Sequence, residues 1–598
     1  MDRSSPATGP APAADPPLAS APPTAPNPPP PGIPAVPKQA FSLTLSSGAV
    51  FAASVATQLI GFAASFFLYK QIGISVDGRI LLGTVQLFLL IGSSINGVGD
   101  LRLGTAYTFF LARGKPATDN TSVYLLTRMM MVGLAGLVIF IIAPLSVGGS
   151  QIAKGSVELT SIGIFVALPI LWSFSTVYNQ LFIGEGNSLK AQYPALIEAI
   201  ARLPVLIFVA YYDHTILGLT FAYVVGASAS TLYAAPAVLR RMRRFRRVEL
   251  TRLFRFAWPL MGSLMLNYLV TNMVPLVVNA GLGAQNLSIF LAANGFRILV
   301  LSLPAAVTTP LFPYIAGLHR QAKYEAIREG TWQALRYTSI LLVPGVVAVV
   351  TYRTNFLNIF ANAAYASAGA LPLAILVVGA IPLSLSQIQQ SSLNAIGRQR
   401  LELYLTSTQV AILFGVAFTL LPPWGILPAS DGLVAASVAV LLSSIAAFAL
   451  NTYFSETLIR VRVQPRSILG ITFSAALAFG AISRLNRYLP VNAWYQLFLV
   501  VLLCFAVYFV VLALIGELAK QDVRRIGSSL GLPSRLCEAL ARLCWRESSP
   551  GLPPIDLARA PGLRQVELPE TFTGTTEMPE IGTPPPEGPT EQDEPPRP

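Results

Sequence analysis

The sequence predicts an all-α integral membrane protein with about fourteen transmembrane helices. Apolar segments of roughly 18 to 25 residues, long enough to cross a bilayer as helices, recur from Leu45 to Leu518. Of the 598 residues, 53% are hydrophobic and only 12% are charged, and the mean hydropathy is +0.60. Because the few charges fall mainly between the apolar segments, the composition excludes a soluble enzyme of this length.

The individual spans follow from the hydrophobic pattern, taken in chain order. They are expected at 45–69, 80–112, 121–143, 160–184, 193–212, 215–236, 256–281, 287–316, 335–352, 369–394, 403–421, 432–455, 467–484 and 495–518. The second and eighth spans are too long for an upright crossing, so we expect them to tilt or to extend into the cytoplasm.

Positive charge marks the predicted cytoplasmic face. Lys and Arg cluster after the even-numbered spans, most densely in the run RRMRRFRR at 240–247. Basic residues favour the cytoplasmic side, so we expect a multi-pass protein of the inner (cell) membrane with both termini in the cytoplasm. The net charge of +13 then reflects topology, and nucleic acid is not expected as a partner.

A weak internal repeat predicts two six-helix lobes related by a pseudo-two-fold axis along the membrane normal, plus a terminal helix pair. QIGISVDGRILLG at 71–83 resembles AGLGAQNLSIFLA at 280–292, a period of about 210 residues. The expected organisation is a disordered Pro/Ala-rich cytoplasmic tail (1–40), an N-terminal lobe (41–239), a basic cytoplasmic linker (240–255), a C-terminal lobe (256–458), the terminal helix pair (459–520), an amphipathic surface segment (521–546) and a disordered Pro-rich acidic tail (547–598). The linker interleaves basic and apolar residues, which favours contact with anionic membrane lipids, although topological anchoring alone also accounts for it.

Ionisable side chains inside spans are costly and are therefore candidates for function. Arg297 lies deep in the eighth span, with Asn294 on the same helical face. A guanidinium stays charged and offers paired donors, so Arg297 is the first candidate for binding a phosphate or pyrophosphate. Arg128 in the third span is a further candidate for binding the substrate. Alternatively, the side chains of Arg128 and Arg102 extend to the lipid headgroups.

Carboxylates are scarce in the spans. Asp100 is predicted either to pair with Arg102 or Arg128 or to bind a coupling cation or proton. Glu198 and Arg202 lie four residues apart on the fifth span, so we expect them to neutralise each other.

The first and seventh spans each carry a stripe of polar or small residues along one helical face. Gln58 belongs to the first stripe and Asn272 to the second. Such stripes avoid lipid, and they indicate either close helix packing or a hydrated cleft between the two lobes.

The sequence predicts neither a cofactor nor a metal site. The three cysteines, Cys504, Cys537 and Cys544, lack CxxC spacing, and the two histidines fall in loops. A membrane glycosyltransferase or polymerase would need a large outer loop or clustered acidic residues, so an enzyme is not expected.

Four segments together resemble the polysaccharide and O-antigen lipid-linked oligosaccharide flippases. They are LYKQIGISVDGRILLG, INGVGDLRLGTAYTFFLARG, ANGFRILVLSLPAAVTTPLFPYIAGLHRQ and LNAIGRQRLELYL. These flippases are part of the multidrug, oligosaccharidyl-lipid and polysaccharide exporter (MOP) superfamily, and the resemblance covers about residues 42–518. It implies a two-lobed bundle of 12 or 14 helices that turns an undecaprenyl-pyrophosphate-linked sugar repeat from the cytoplasmic to the outer leaflet. Arg297 is similar to the arginine often found in the eighth-span motif of such proteins.

The expected function is flipping of a polyprenyl-pyrophosphate-linked oligosaccharide by alternating access, for lipopolysaccharide, O-antigen or exopolysaccharide export. The expected substrate-binding residues are Arg297, Asn294, Asn272, Gln58 and Arg128, and Asp100 is the expected coupling-ion residue. The lipid-linked oligosaccharide is the expected partner, and other polysaccharide-assembly proteins stay open as partners. The alternative is a cation-coupled multidrug antiporter of the same superfamily, which the shortage of carboxylates disfavours.

Overall fold

The structure, a computed structural model, describes residues 40–112, 117–142, 146–147, 150–151, 156–242, 247–321, 323–422, 425–461, 465–486 and 493–520, with a few further residues between 491 and 546. Apart from Ala40, the predicted tails lie outside this part of the chain. Most of the predicted surface segment at 521–546 also lies outside it.

The first half of the chain forms a bundle of helices, here called the N-terminal bundle. Its helices are α1 (Ala40–Gln71), α2 (Val76–Val98), α3 (Leu103–Ala112), α4 (Ala117–Ile142), α5 (Ser156–Gly184), α6 (Ser188–Ala191), α7 (Tyr193–Tyr212) and α8 (Ile216–Leu239). Helix α5 packs against α2, α4 and α8, and α7 packs against α1 and α8. Two-residue strands, β1 (Ser146–Val147) and β2 (Ser150–Gln151), pair antiparallel between α4 and α5. Hydroxyl caps begin two of the helices: Ser75 accepts from the Gly78 amide and Thr215 from the Gly218 amide.

The second half forms the C-terminal bundle and a terminal helix pair. The C-terminal bundle contains α9 (Arg247–Arg320), α10 (Tyr324–Thr351), α11 (Arg353–Phe360), α12 (Ala363–Ala395), α13 (Gln399–Leu420) and α14 (Gly432–Leu458). Helix α12 is central, since it packs against α9, α10 and α14. The terminal pair, α15 (Pro465–Asn486) and α16 (Trp494–Ile515), packs together and against α10.

Helix α9 is kinked, and its two parts correspond to the predicted seventh and eighth spans. Gly283 at the kink has φ 81° and ψ 172°, a conformation that a side chain would strain. Helix α2 runs along α9 and supplies the main contact between the two bundles. Gly83 of α2 sits against the Ala284 carbonyl, where a Cβ atom would overlap that oxygen. The missing side chain therefore lets the two bundles approach closely.

The prediction of a single helical span at 80–112 is wrong, because the helix is interrupted between α2 and α3. Leu101 (φ 46°) and Arg102 (φ 58°) adopt left-handed conformations that end the helix. The apolar sequence pattern continues through this interruption, so the pattern does not reveal it. At the interruption, the Asp100 carboxylate accepts a hydrogen bond from Tyr124 and forms an ion pair with Arg128. These contacts with α4 come from tertiary structure, so helical periodicity does not report them.

The all-α membrane fold is confirmed, but the count of about fourteen spans is not. Twelve helices within the described residues are long and apolar enough to cross a membrane. Helix α1 is not among the twelve, and one candidate, Met261–Ser302, continues through the kink at Gly283. Helix α9 already begins at Arg247, inside the range predicted as a basic linker, whereas residues 243–246 lie outside the described part.

Candidate substrate-binding site within the membrane

Arg297 lies on the second part of α9 and points into the bundle. It shares a helical face with Phe290 and Ala293, which are both fully buried. Its Nη1 donates a hydrogen bond of 3.1 Å to Asn294 Oδ1. The structure thus brings these two predicted site residues together and holds the guanidinium with a neutral amide.

The charge of Arg297 is not balanced by a carboxylate within 4 Å among the described residues. Its Nε is buried and has no hydrogen-bond partner in that part of the chain. Three other helical arginines each have a carboxylate partner: Arg128 with Asp100 at 2.6 Å, Arg202 with Glu198 at 3.5 Å and Arg336 with Asp522 at 2.8 Å. An unbalanced guanidinium at this depth is suited to binding an anionic group.

The Arg128 guanidinium forms an ion pair and hydrogen bonds within the N-terminal bundle. Its side chain is 1% exposed, so it does not extend to the lipid headgroups. Besides the Asp100 carboxylate, it donates to Asn96 Oδ1 at 2.6 Å and to Thr176 Oγ1 at 3.2 Å. One of the two pairings predicted for Asp100 is therefore confirmed, and the pair leaves little net charge for a substrate or coupling ion.

The predicted pair of Glu198 and Arg202 is confirmed at 3.5 Å. Trp172 Nε1 adds a hydrogen bond of 3.2 Å to the Glu198 carboxylate, and the Arg202 guanidinium lies 4.8 Å from the centre of the Tyr223 ring. Both acidic side chains inside the predicted spans of the N-terminal bundle thus have arginine partners.

Contacts between the bundles occur near the predicted cytoplasmic face. Arg102 Nη2 lies 3.8 Å from Glu402 Oε1 of α13, whose other carboxylate oxygen accepts from Asn394 at 2.8 Å. Deeper in the predicted spans, Asn272 of α9 donates to Ser94 Oγ of α2 at 3.2 Å. Asn272 therefore connects α9 to α2, and Arg102 reaches the other bundle rather than the headgroups.

The bundles also meet at the predicted outer face. Gln86 donates to the Tyr69 hydroxyl at 2.5 Å, and the Tyr69 ring lies 5.2 Å from that of Tyr365. Tyr365 exchanges a hydrogen bond of 2.8 Å with Ser288, and Asn362 donates to the Tyr69 carbonyl at 3.1 Å. The two bundles thus contact each other near both predicted faces.

Gln58 lines a separate cavity of about 170 Å³ between α1, the second part of α9 and α11. Ser65 is a second polar group in its wall, and aromatic rings, including those of Phe62 and Phe296, supply much of the rest. Arg297 is not in the wall, because it points away from this side of α9. The predicted substrate-binding residues therefore occupy several places rather than one compact pocket.

Sequence reasoning missed Glu402 and the buried pair of Arg336 and Asp522. Glu402 lies at the start of α13, where a charge is ordinary, and only the fold brings it to Arg102. Arg336 and Asp522 are 186 residues apart, so spacing carries no signal of their contact. No group of three or more His, Cys, Asp or Glu side chains within the described residues could hold a metal ion.

The helices and their arrangement define a multi-pass membrane protein with the fold of the MurJ and MATE transporters. Lipid II flippase MurJ, in an inward closed conformation, aligns with a TM-score of 0.63 over 77% of this chain and 97% of MurJ, at 11% identity. An inward-facing MATE multidrug transporter of the MOP superfamily aligns with a TM-score of 0.55 over 69% of this chain and 98% of its own, at 15% identity. A MOP superfamily transporter from Pyrococcus furiosus Vc1 gives a TM-score of 0.51 over 70% of this chain and 95% of its own, at 16% identity.

Residues 98–319 match the model of the polysaccharide biosynthesis protein family. This match confirms, over these residues, the resemblance identified from the sequence, and the solved structures share the fold. No curated protein matches the chain by sequence. The matched segment contains Arg297, Asn294, Asn272, Arg128 and Asp100.

Proposed function

We propose that this protein flips a polyprenyl-pyrophosphate-linked oligosaccharide from the cytoplasmic to the outer leaflet of the inner membrane, for polysaccharide or O-antigen export. The family match and the flippase fold support lipid-linked transport in general. The observation that carries the finer proposal is the unbalanced guanidinium of Arg297, held by Asn294 on a helix inside the membrane domain. A pyrophosphate supplies the negative charge that the described protein residues do not.

The headgroup binds at Arg297 and Asn294 in this proposal, and the polyprenyl chain stays in the lipid. Asn272 and Gln58 contribute polar contacts when the bundles separate, since both lie on surfaces that one bundle turns toward the other. Arg128 acts on the headgroup only if Asp100 releases it. Rocking of the two bundles exposes the site to one leaflet and then to the other.

A cation-coupled multidrug antiporter is the alternative, because MATE transporters share this fold. Binding of a cationic drug favours an unpaired carboxylate inside the bundles. Asp100 and Glu198, the acidic side chains that lie well within the predicted spans, each pair with an arginine, whereas Glu517 lies at the very end of the last predicted span. The charge balance of the described spans therefore favours an anionic substrate.

The basic run before α9 supports an orientation with both termini in the cytoplasm. In that orientation, residues 240–255 lie at the surface of the inner leaflet and contact anionic lipids. Other polysaccharide-assembly proteins stay open as partners in this proposal.

The proposal is tested with purified protein in proteoliposomes that contain a fluorescent polyprenyl-pyrophosphate oligosaccharide. A membrane-impermeant quencher measures how fast the labelled headgroup crosses, and empty liposomes are the control. Protein-dependent crossing of this lipid is the expected result. Absence of crossing, together with extrusion of a cationic dye against an imposed ion gradient, would assign the protein to the antiporters.

A further inference from the structure

A turn at residues 99–102, here called the α2–α3 turn, interrupts a stretch whose sequence pattern is that of one helix. The apolar pattern continues from α2 into α3, and the sequence from 76 to 112 contains no proline. Leu101 and Arg102 nevertheless have positive φ angles, 46° and 58°. A left-handed backbone is costly for residues with a side chain, so contacts with other helices are needed to hold this turn.

The backbone hydrogen bonds show what the turn replaces. In a continuous helix the Asn96 carbonyl accepts from the amide of Asp100, four residues later. Here the Asp100 amide bonds to the Gly97 carbonyl at 3.2 Å, and Arg128 Nη2 of α4 donates to the Asn96 carbonyl at 3.1 Å. The Asn96 carbonyl therefore has a donor in either form of the chain, so the exchange of one form for the other leaves this acceptor paired.

Glycines make room for the contacts between α4 and the turn. A Cβ atom at Gly104 would collide with the Tyr124 hydroxyl, which donates to the Asp100 carboxylate at 2.5 Å. A Cβ atom at Gly99 would collide with the Val132 side chain. These contacts lie within the N-terminal bundle, so they do not depend on the position of the other bundle.

Two further contacts come from the C-terminal bundle. Tyr268 of α9 places its hydroxyl group against Gly97 of α2, where a Cβ atom would overlap it. Arg102 Nη2 lies 3.8 Å from Glu402 Oε1 of α13. Separation of the bundles at the predicted cytoplasmic face removes both contacts. The closed interface therefore supplies part of what holds the turn, including the contact of one of its two left-handed residues.

We propose that the α2–α3 turn is a conformational switch: it stays interrupted while Tyr268 and Glu402 contact it, and it refolds into a continuous helix when the bundles separate at the predicted cytoplasmic face. The switch rests on the bundle movement of the proposed function, but not on the identity of the substrate. Refolding moves the Asn96 carbonyl from Arg128 to the Asp100 amide. Arg128 then has one acceptor fewer at the stage when an anionic headgroup can reach the bundles.

A matched pair of variants at Leu101 tests the switch in the full-length protein without any substrate. Leu101→Gly and Leu101→Ala both delete the side-chain packing, but glycine favours the left-handed turn and alanine favours the helix. Spin labels at the exposed Leu239 and Tyr404, one on each bundle, measure the separation of the bundles by pulsed electron paramagnetic resonance.

The ratio of short to long distances between these labels is expected to be about tenfold larger in Leu101→Gly than in Leu101→Ala. Loss of packing alone shifts both variants in the same direction by the same amount. Equal distributions in the two variants, or a larger open fraction with glycine, would therefore overturn the proposal.

A second pair of labels, at the exposed Ile80 and Thr105, follows the turn itself within the N-terminal bundle. A continuous helix places these two residues about 37 Å apart, and the turn shortens that distance. Tyr268→Ala removes the side chain at Gly97 without changing α2, so it is expected to lengthen this distance together with the separation of the bundles. Tyr453→Ala, at an exposed tyrosine of α14, is the control that leaves both distances unchanged.

Separated bundles with an unchanged distance between residues 80 and 105 would contradict the switch. If Tyr268→Ala does not fold, Glu402→Gln replaces it, since this variant removes the other contact from the C-terminal bundle. Both distances are measured without substrate, so failure of the switch is distinguished from failure of the proposed flipping activity.

Discussion

Arg128 Nη1 lies 2.6 Å from Asp100 Oδ1, and this ion pair connects α4 to the break between α2 and α3. Tyr124 donates to the same carboxylate oxygen at 2.5 Å. The arginine is buried completely and the aspartate mostly. Two residues that the sequence suggests for substrate and ion binding are therefore, in this conformation, a structural unit that stabilises an interrupted helix.

Asp100→Asn is expected to destabilise the protein, because Arg128 is then buried without a counter-charge. Removal of one partner from a buried pair costs about 3 kcal/mol or more. Denaturant unfolding in micelles measures the loss, and the double variant Asp100→Asn/Arg128→Gln should recover part of it. Unchanged stability together with lost transport would instead support the coupling role of Asp100.

Glu402→Gln is expected to loosen the predicted cytoplasmic side of the interface between the bundles. Arg102 is 31% exposed and Glu402 13%, so screening limits the effect to roughly 1 kcal/mol or less. Spin labels at the exposed Thr105 and Tyr404 should report a larger fraction of long distances. The charge swap Arg102→Glu/Glu402→Arg should restore the wild-type distribution, and no change in the single variant would contradict this role for the pair.

Gly83→Val is expected to separate the bundles at the predicted outer face, because the new side chain overlaps the Ala284 carbonyl. Spin labels at the exposed Ile74 and Ala363 should move apart, and the equilibrium should shift toward outward-open states. Gly133→Val is the control, since open space surrounds that glycine. Unchanged distances in Gly83→Val would show that this close approach does not hold the interface.

Local sequence patterns predict the parts of this fold that depend on neighbours along a helix. The pairs Glu198 with Arg202 and Asn294 with Arg297 are spaced by four and three residues, and both form. The break at Leu101 was missed because it depends on contacts between Asp100 and α4. Two further ion pairs form only through the packing of segments that are distant in sequence, Arg102 with Glu402 and Arg336 with Asp522. The periodicity of the sequence does not predict such pairs.

The same distinction applies to the candidate site. Depth in an apolar segment identifies Arg297 because a charge there is costly wherever the helix packs. Depth also identifies Arg128, but it does not reveal that Asp100 neutralises the charge. The charge balance of each arginine is a tertiary property, and it separates the candidate anion-binding residue from the structural ones.

The central claim is that Arg297 binds the anionic headgroup during transport. The most direct measurement compares headgroup crossing in proteoliposomes for wild type, Arg297→Lys, Arg297→Ala and the control Arg255→Ala, an exposed arginine on the same helix. A charge-assisted hydrogen bond contributes about 1.5 to 3 kcal/mol, so Arg297→Ala should slow crossing about tenfold or more. Arg297→Lys should retain part of the rate, and Arg255→Ala should match the wild type. A wild-type rate in Arg297→Ala, with normal insertion and folding, would contradict the account.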